Sequence, residues 1–308
     1  MKDIAESQER LKGLFNIAVT PFADDGTIDF SALEENLGRV IDLGYDGILI
    51  GGTYGEFPTM RLEERAELFG RVMELVGDRL PVMLCTADSD PRAVGELTEL
   101  ASSLGGAPMV TAPYVSEVTE DQIVAFFQAM APRSRTGIVI YNAPGIGITL
   151  SPGVLERLAE IDGIVALKQG DLSPTAIDVL ASRLNGRLRL FCASDLAFLG
   201  PLSAGFDGLS STNSCAFPEL IRAAYAALAA DEAARAGELQ RLWYPFRAMA
   251  RRHGQPQSTK AAMNLRGFRG GRVRPPLRDL DAGARQELAP VVAAIAEASA
   301  GIGRSNAA

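Results

Sequence analysis

Eight short apolar runs recur along this chain, each followed by a helix-like segment, and that alternation limits the available folds more than any other feature. The runs cover residues 14–19, 47–50, 81–85, 107–110, 137–141, 163–167, 188–192 and 208–210. Their ends fall near residues 20, 50, 85, 111, 141, 168, 193 and 211, at gaps of 30, 35, 26, 30, 27, 25 and 18. Apolar runs this short, without polar alternation, read as strands of a parallel sheet buried on both faces. Helix-period segments lie between them, at about 29 or 31 to 43, 61–76, 91–104, 120–130, 151–160 and 174–184, with about seven residues more from Leu196. Ser31 and Glu34 stand at capping-box spacing for the first of these. Eight strand–helix units in about 200 residues predict an α/β chain folded as a (β/α)8 TIM barrel. The competitor is an open doubly wound sheet with an NAD(P) site. It lacks its fingerprint, since no G-x-G-x-x-G follows the first run and no G-x-x-x-x-G-K-[ST] occurs anywhere.

The expected organisation is a polar N-terminal tail over residues 1–12, the barrel over 13–230 and a C-terminal helical extension over 231–308. Helix patterns run over 219–230, 231–252, 257–265 and 284–300, and residues 305–308 read as a frayed tail. No Pro/Ser/Gly linker precedes the extension, so it is expected to pack on the barrel and not to form a second domain.

Charge and residue usage narrow the function. The net charge is −8, and the densest basic stretch (Arg251, Arg252, Arg266, Arg269, Arg272, Arg274) is scattered, which suits a solvated face or a subunit contact better than nucleic acid. Cys85, Cys192 and Cys215 form no CxxC pair, and Cys85 and Cys192 sit in apolar runs, so the chain fits a reducing cytoplasm with no disulfide framework. The N-terminus has no apolar core for a signal peptide, and no stretch approaches the roughly 18 uninterrupted apolar residues of a membrane span. His253 is the single histidine, which leaves little for a histidine metal site or a Ser-His-Asp triad. Acid–base work then falls to Lys, Tyr, Asp, Glu or a hydroxyl.

Strand ends of a barrel converge on one mouth. Here they carry Thr20, Thr53, Tyr54, Glu56, Thr111, Tyr114, Tyr141, Asn142, Lys168, Ser194, Asp195, Ser210 and Ser211, a hydroxyl-rich set with one lysine. Lys168 follows four apolar residues and precedes Gln169-Gly170-Asp171. Burial disfavours an ammonium, and lowering a lysine from about 10.4 to roughly 7–8 requires about 3–5 kcal/mol of local environment. An amine so tuned attacks carbonyls and forms a Schiff base. The competing reading is a lysine that snorkels from the strand end into solvent. Gly51-Gly52-Thr53-Tyr54 presents successive amides at a helix entrance, suited to a carboxylate, though a plain tight turn accounts for it equally well. Tyr141 is either a core aromatic or the lysine's neighbour, because the two close adjacent strands.

Six ordered motifs, spread over about residues 14–277, resemble the dihydrodipicolinate synthase and N-acetylneuraminate lyase superfamily of class I, pyruvate-type aldolases. They are Val19-Thr20-Pro21-Phe22, Gly52-Thr53-Tyr54-Gly55-Glu56-Phe57-Pro58-Thr59, Tyr141-Asn142-Ala143-Pro144, Leu167-Lys168, Gly205-Phe206-Asp207-Gly208 and Val273-Arg274-Pro275-Pro276-Leu277. The resemblance implies Lys168 as the Schiff-base lysine, Tyr141 as the adjacent acid/base and Thr53 as a proton relay. It implies a carboxylate grip by Thr53, Tyr54, Gly52 and Ser210. It also implies a 2-oxo acid such as pyruvate plus an aldehyde as substrates, no cofactor or metal, and a homotetramer built as a dimer of dimers. Two departures bear on the substrate. Ile146 stands where dihydrodipicolinate-forming members carry an arginine, and Val115 where they carry a second tyrosine, so a less charged distal pocket is expected and dihydrodipicolinate synthesis is not. Tyr54 or Tyr114 is left to serve as relay or pocket wall, and an aromatic at 54 resembles the hydratase-aldolases. Gln169 replaces a frequent glutamate. The expected activity is a carbon–carbon or carbon–oxygen lyase acting at C3 of pyruvate. The alternatives are a hydratase-aldolase or sugar-acid dehydratase of the same family, and a barrel that binds a 2-oxo acid without turnover.

Overall fold

The computed structural model describes the backbone of residues 1–144 and 146–305 and the side chains through residue 302. Gly145 and the tail expected beyond Ser305 lie outside the described residues. The first half runs α1 (Ile4–Arg10), β1 (Gly13–Ile17), α2 (Phe30–Asp42), β2 (Gly47–Ile50), α3 (Leu62–Val76), β3 (Val82–Cys85), α4 (Pro91–Ser103), β4 (Ala107–Val110) and α5 (Glu120–Met130). Then come β5 (Ile138–Asn142), α6 (Pro152–Leu158), β6 (Ile164–Gln169), α7 (Pro174–Leu184), β7 (Arg189–Cys192), α8 (Leu199–Ser203) and β8 (Gly208–Ser211). The barrel closes with α9 (Pro218–Ala229), and the extension is α10 (Ala233–Arg241), α11 (Tyr244–His253), α12 (Gln257–Leu265) and α13 (Ala282–Ser305).

The eight strands pair in parallel and in sequence order, and β1 closes on β8 with Gly13 opposite Gly208 and Phe15 opposite Ser210. The expected barrel is therefore the fold, and closure removes the open-sheet alternative. Inside it, large and small residues alternate as a packed barrel core requires. Phe15 and Phe191 meet edge to face with ring centroids 4.9 Å apart. Gly47 lies against the Phe15 ring and Gly208 against the Phe191 ring, and a Cβ at either glycine would overlap it.

Four local expectations are corrected. Residues 1–12 are not a tail: Asp3 caps α1, the Met1 amine donates to the Gly105 carbonyl at 2.7 Å and Leu11 is fully buried. The Arg189 guanidinium also reaches the Gln8 carbonyl at 2.5 Å, so α1 lies across the N-terminal end of the barrel. Helix α2 is capped by Asp29, whose carboxylate accepts from the Ala32 amide at 2.9 Å, and not by Ser31, whose hydroxyl accepts from Arg269. The helix expected over 231–252 breaks at Leu242-Trp243, because Pro245 has no N–H to give and starts α11 instead. The basic stretch is not simply solvated. Arg266 pairs with Glu219 (3.0 Å), Arg269 with Asp29 (2.9 Å), Arg272 with Asp24 and Arg274 with Glu64 (2.5 Å), fastening the segment after α12 to the barrel.

Candidate active site

Lys168 is the penultimate residue of β6, which runs one residue further than the sequence implies. Gln169 adds that residue because its side chain is engaged. Its carbonyl oxygen accepts from Asn142 Nδ2 at 2.9 Å, and its amide donates to the Asp171 carbonyl at 2.9 Å. Asn142 in turn accepts from the Leu150 amide at 2.8 Å. This buried strap fixes the ends of β5 and β6 in register, so that Tyr141 stands opposite Lys168. The lysine does not snorkel. It is 3% exposed, and its Nζ sits 4.3 Å from the centroid of the Tyr141 ring. Among the described residues the amine makes no ion pair and no hydrogen bond to protein, so desolvation dominates, and burial lowers its pKa to about 8.

A second buried lysine shows the contrast. Lys260 of α12 donates to Glu56 Oε1 at 2.5 Å and to the Arg272 carbonyl at 2.6 Å. The other Glu56 oxygen accepts from the Arg274 amide at 3.0 Å. Glu56 holds a left-handed backbone at φ 61° and is buried, so this acid anchors the turn after β2 to the extension and does not face the mouth. Thr20 supports the same turn by donating to the Gly55 carbonyl at 2.7 Å. The turn itself, Thr53–Gly55, is a single 3-10 turn entered through Gly51 at φ 65°. Its first amides have no acceptor within the turn. It carries Thr53 Oγ1 to 2.9 Å from the Tyr141 hydroxyl. Burial raises the Tyr141 phenol far above its ordinary value, so it keeps its proton at neutral pH.

These groups line one cavity of about 330 Å³ at the C-terminal ends of the strands. Of the expected residues, Lys168, Tyr141, Thr53, Tyr54, Ser210, Ser194 and Asp195 line it. The Ser210 hydroxyl donates to the Cys192 carbonyl at 3.2 Å and leaves its lone pairs free. Gly52 and Tyr114 are not among the lining residues. Gly52 sits behind the turn with Leu49 against it, and Tyr114 packs over Gly147. Ile146 does line the wall, while Val115 is 66% exposed outside it.

The far wall adds Asn213, Arg247 and Gln255, which no strand-end position marks. Asp195 is buried and accepts from Ser211 Oγ at 2.5 Å and Asn213 Nδ2 at 2.8 Å. Asn213 Oδ1 accepts from Gln255 Nε2 at 3.0 Å, and Gln255 Oε1 from Arg247 Nη1 at 3.2 Å. A hydrogen-bonded chain therefore runs from the β7 loop through the β8 loop to α11, and Arg247 and Gln255 from the extension face the cavity. The electrostatic character of this wall differs from the less charged pocket expected from Ile146 and Val115.

The model of the Dihydrodipicolinate synthetase family matches residues 10–295. A 4-hydroxy-tetrahydrodipicolinate synthase 1 of Streptomyces coelicolor is 33% identical over 294 residues, covering 94% of each chain. One from Synechocystis is 31% identical over 277 residues, covering 89% of this chain and 92% of that one. Among solved structures, the 4-hydroxy-tetrahydrodipicolinate synthase of Methylacidiphilum fumariolicum SolV superposes with a TM-score of 0.88 at 26% identity, over 96% of this chain and 99% of that one. The match spans the barrel and most of the extension, and it reaches every residue of the cavity described above. The chain belongs to the dihydrodipicolinate synthetase family, whose members are lyase-type class I pyruvate aldolases.

Proposed function

We propose that this chain is a Schiff-base lyase that makes or breaks a bond at C3 of pyruvate or a related 2-oxo acid. The observation that carries the reading is Lys168, a buried amine with no carboxylate partner, set against the Tyr141–Thr53 pair in the cavity. With a pKa of about 8, roughly a tenth of the amine is neutral at pH 7, about 200-fold more than for an ordinary lysine. The neutral nitrogen attacks C2 of the 2-oxo acid to give a carbinolamine. Tyr141, protonated at neutral pH, donates its proton to the departing hydroxyl, which leaves as water, and Thr53 restores the phenol along the 2.9 Å contact as it takes up a proton from solvent. The 2-oxo acid's carboxylate lies against the Thr53 hydroxyl and the amides that head the turn, and Ser210 joins as a donor when its hydroxyl turns away from the Cys192 carbonyl. Loss of a C3 proton, or of a C3 substituent as an aldehyde, gives the enamine. Attack of that carbon on an aldehyde is the same step in reverse, and hydrolysis of the imine returns the lysine. The protonated imine is the electron sink, so the reading requires no cofactor.

Condensation, cleavage and dehydration share this enamine. Ile146 in the wall, in place of a cation, argues against dihydrodipicolinate formation. The reading is tested by proton NMR of pyruvate in deuterium oxide. The protein alone should exchange the C3 hydrogens, and Lys168→Ala should not. Absence of exchange with the folded wild type would refute the proposal.

A further inference from the structure

We propose that Arg247 of α11 binds a carboxylate at the distal end of the substrate, so that the cavity takes a 2-oxo acid, or its aldol adduct, carrying a second acidic group. This deepens the function proposed above and rests on it. Arg247 lines the same cavity as Lys168. Its Nε is buried and has no hydrogen-bond partner. Among the described residues the guanidinium makes no ion pair, and its one hydrogen bond is from Nη1 to Gln255 Oε1. Several other arginines of the extension, Arg252, Arg266, Arg269, Arg272 and Arg274, do have a carboxylate partner.

The nearest acid is already committed. Both oxygens of Asp195 are taken, one by Ser211 Oγ and the Asn213 amide and the other by Asn213 Nδ2. Gln255 is equally occupied, giving its amide protons to Asn213 Oδ1 and Thr259 Oγ1 and its oxygen to Arg247. The relay therefore orients the guanidinium with no carboxylate hydrogen-bonded to it, Asp195 acting on it only through space, and leaves Nη protons to meet a carboxylate. Ile146 and Leu196 elsewhere on the wall offer such a group nothing, which makes Arg247 the element that discriminates.

The test is calorimetric titration of the whole protein with paired ligands, 2-oxoadipate against 2-oxohexanoate and 2-oxoglutarate against 2-oxopentanoate. The wild type should bind the better dicarboxylate about tenfold to a hundredfold more tightly than its monocarboxylate partner, the range expected for a charge-assisted contact. Arg247→Gln should abolish that preference while leaving monocarboxylate affinity within about twofold, and Arg247→Lys should keep part of it. Equal affinities in the wild type, or an equal loss for both ligands in Arg247→Gln, would overturn the proposal. Borohydride trapping with pyruvate, run alongside, separates the two readings. An adduct without dicarboxylate preference removes the Arg247 site and leaves the Schiff-base lyase. A preference without an adduct removes the lyase and leaves the site.

Discussion

Replacing Lys168 with methionine should make the protein more stable at neutral pH and inactive. Methionine has nearly the same length and no charge. The wild type carries its ammonium in a buried position with a folded pKa of about 8, against about 10.4 when unfolded. Below pH 8 the amine is protonated in both states, so the folded state bears the full penalty, about 3 kcal/mol from the shift. Contact with the Tyr141 ring at 4.3 Å returns up to about 1 kcal/mol of that. Lys168→Met should therefore gain about 2–3 kcal/mol at pH 7. Between pH 8 and 10.4 the unfolded chain holds the proton and the folded chain does not, so wild-type stability rises with pH. By pH 9.5 the advantage of the variant should have shrunk by about 2 kcal/mol. Urea denaturation of both proteins at pH 7 and pH 9.5 reads this directly, because other titrating groups are common to the two and cancel. A variant that is less stable at pH 7, or a difference that does not change with pH, would refute the desolvated amine on which the mechanism depends.

Two further outcomes follow from the same geometry. Tyr141→Phe removes the proton donor but only one partially solvated hydrogen bond, so C3 exchange should slow by about 10²–10⁴-fold while stability changes by about 1 kcal/mol, measured by NMR exchange and urea titration. Lys260→Met leaves Glu56 buried and uncompensated, and should cost about 3–5 kcal/mol in urea denaturation, whereas Lys260→Met combined with Glu56→Gln should recover part of it.

The barrel was legible because each strand is written locally, as an apolar run that stops at a polar residue. Lys168 and Tyr141 were legible for the same reason, since residues ending consecutive strands of a closed barrel become neighbours. Gly52 and Tyr114 share the strand-end position and yet stand outside the cavity lining, because which way a loop turns after the strand is set by packing, here Leu49 behind Gly52 and Gly147 beneath Tyr114. Glu56 looked like a mouth residue until its partner, 204 positions away, was seen. Arg247 left no local signal. It lies on a helix rich in arginine, half-exposed, and it reaches the cavity only because Pro245 starts α11 afresh and Gln255 holds the guanidinium. The N-terminal helix was hidden similarly, since its short polar sequence shows little until Leu11 is buried on the end of the barrel.

The most direct measurement of the central claim is borohydride reduction in the presence of pyruvate, followed by peptide mass mapping of wild type and Lys168→Ala. The account predicts one reduced pyruvate per chain, on the peptide that contains Lys168, and none in the variant. A folded wild type that gives no adduct under excess pyruvate, or an adduct that persists in Lys168→Ala, would contradict it.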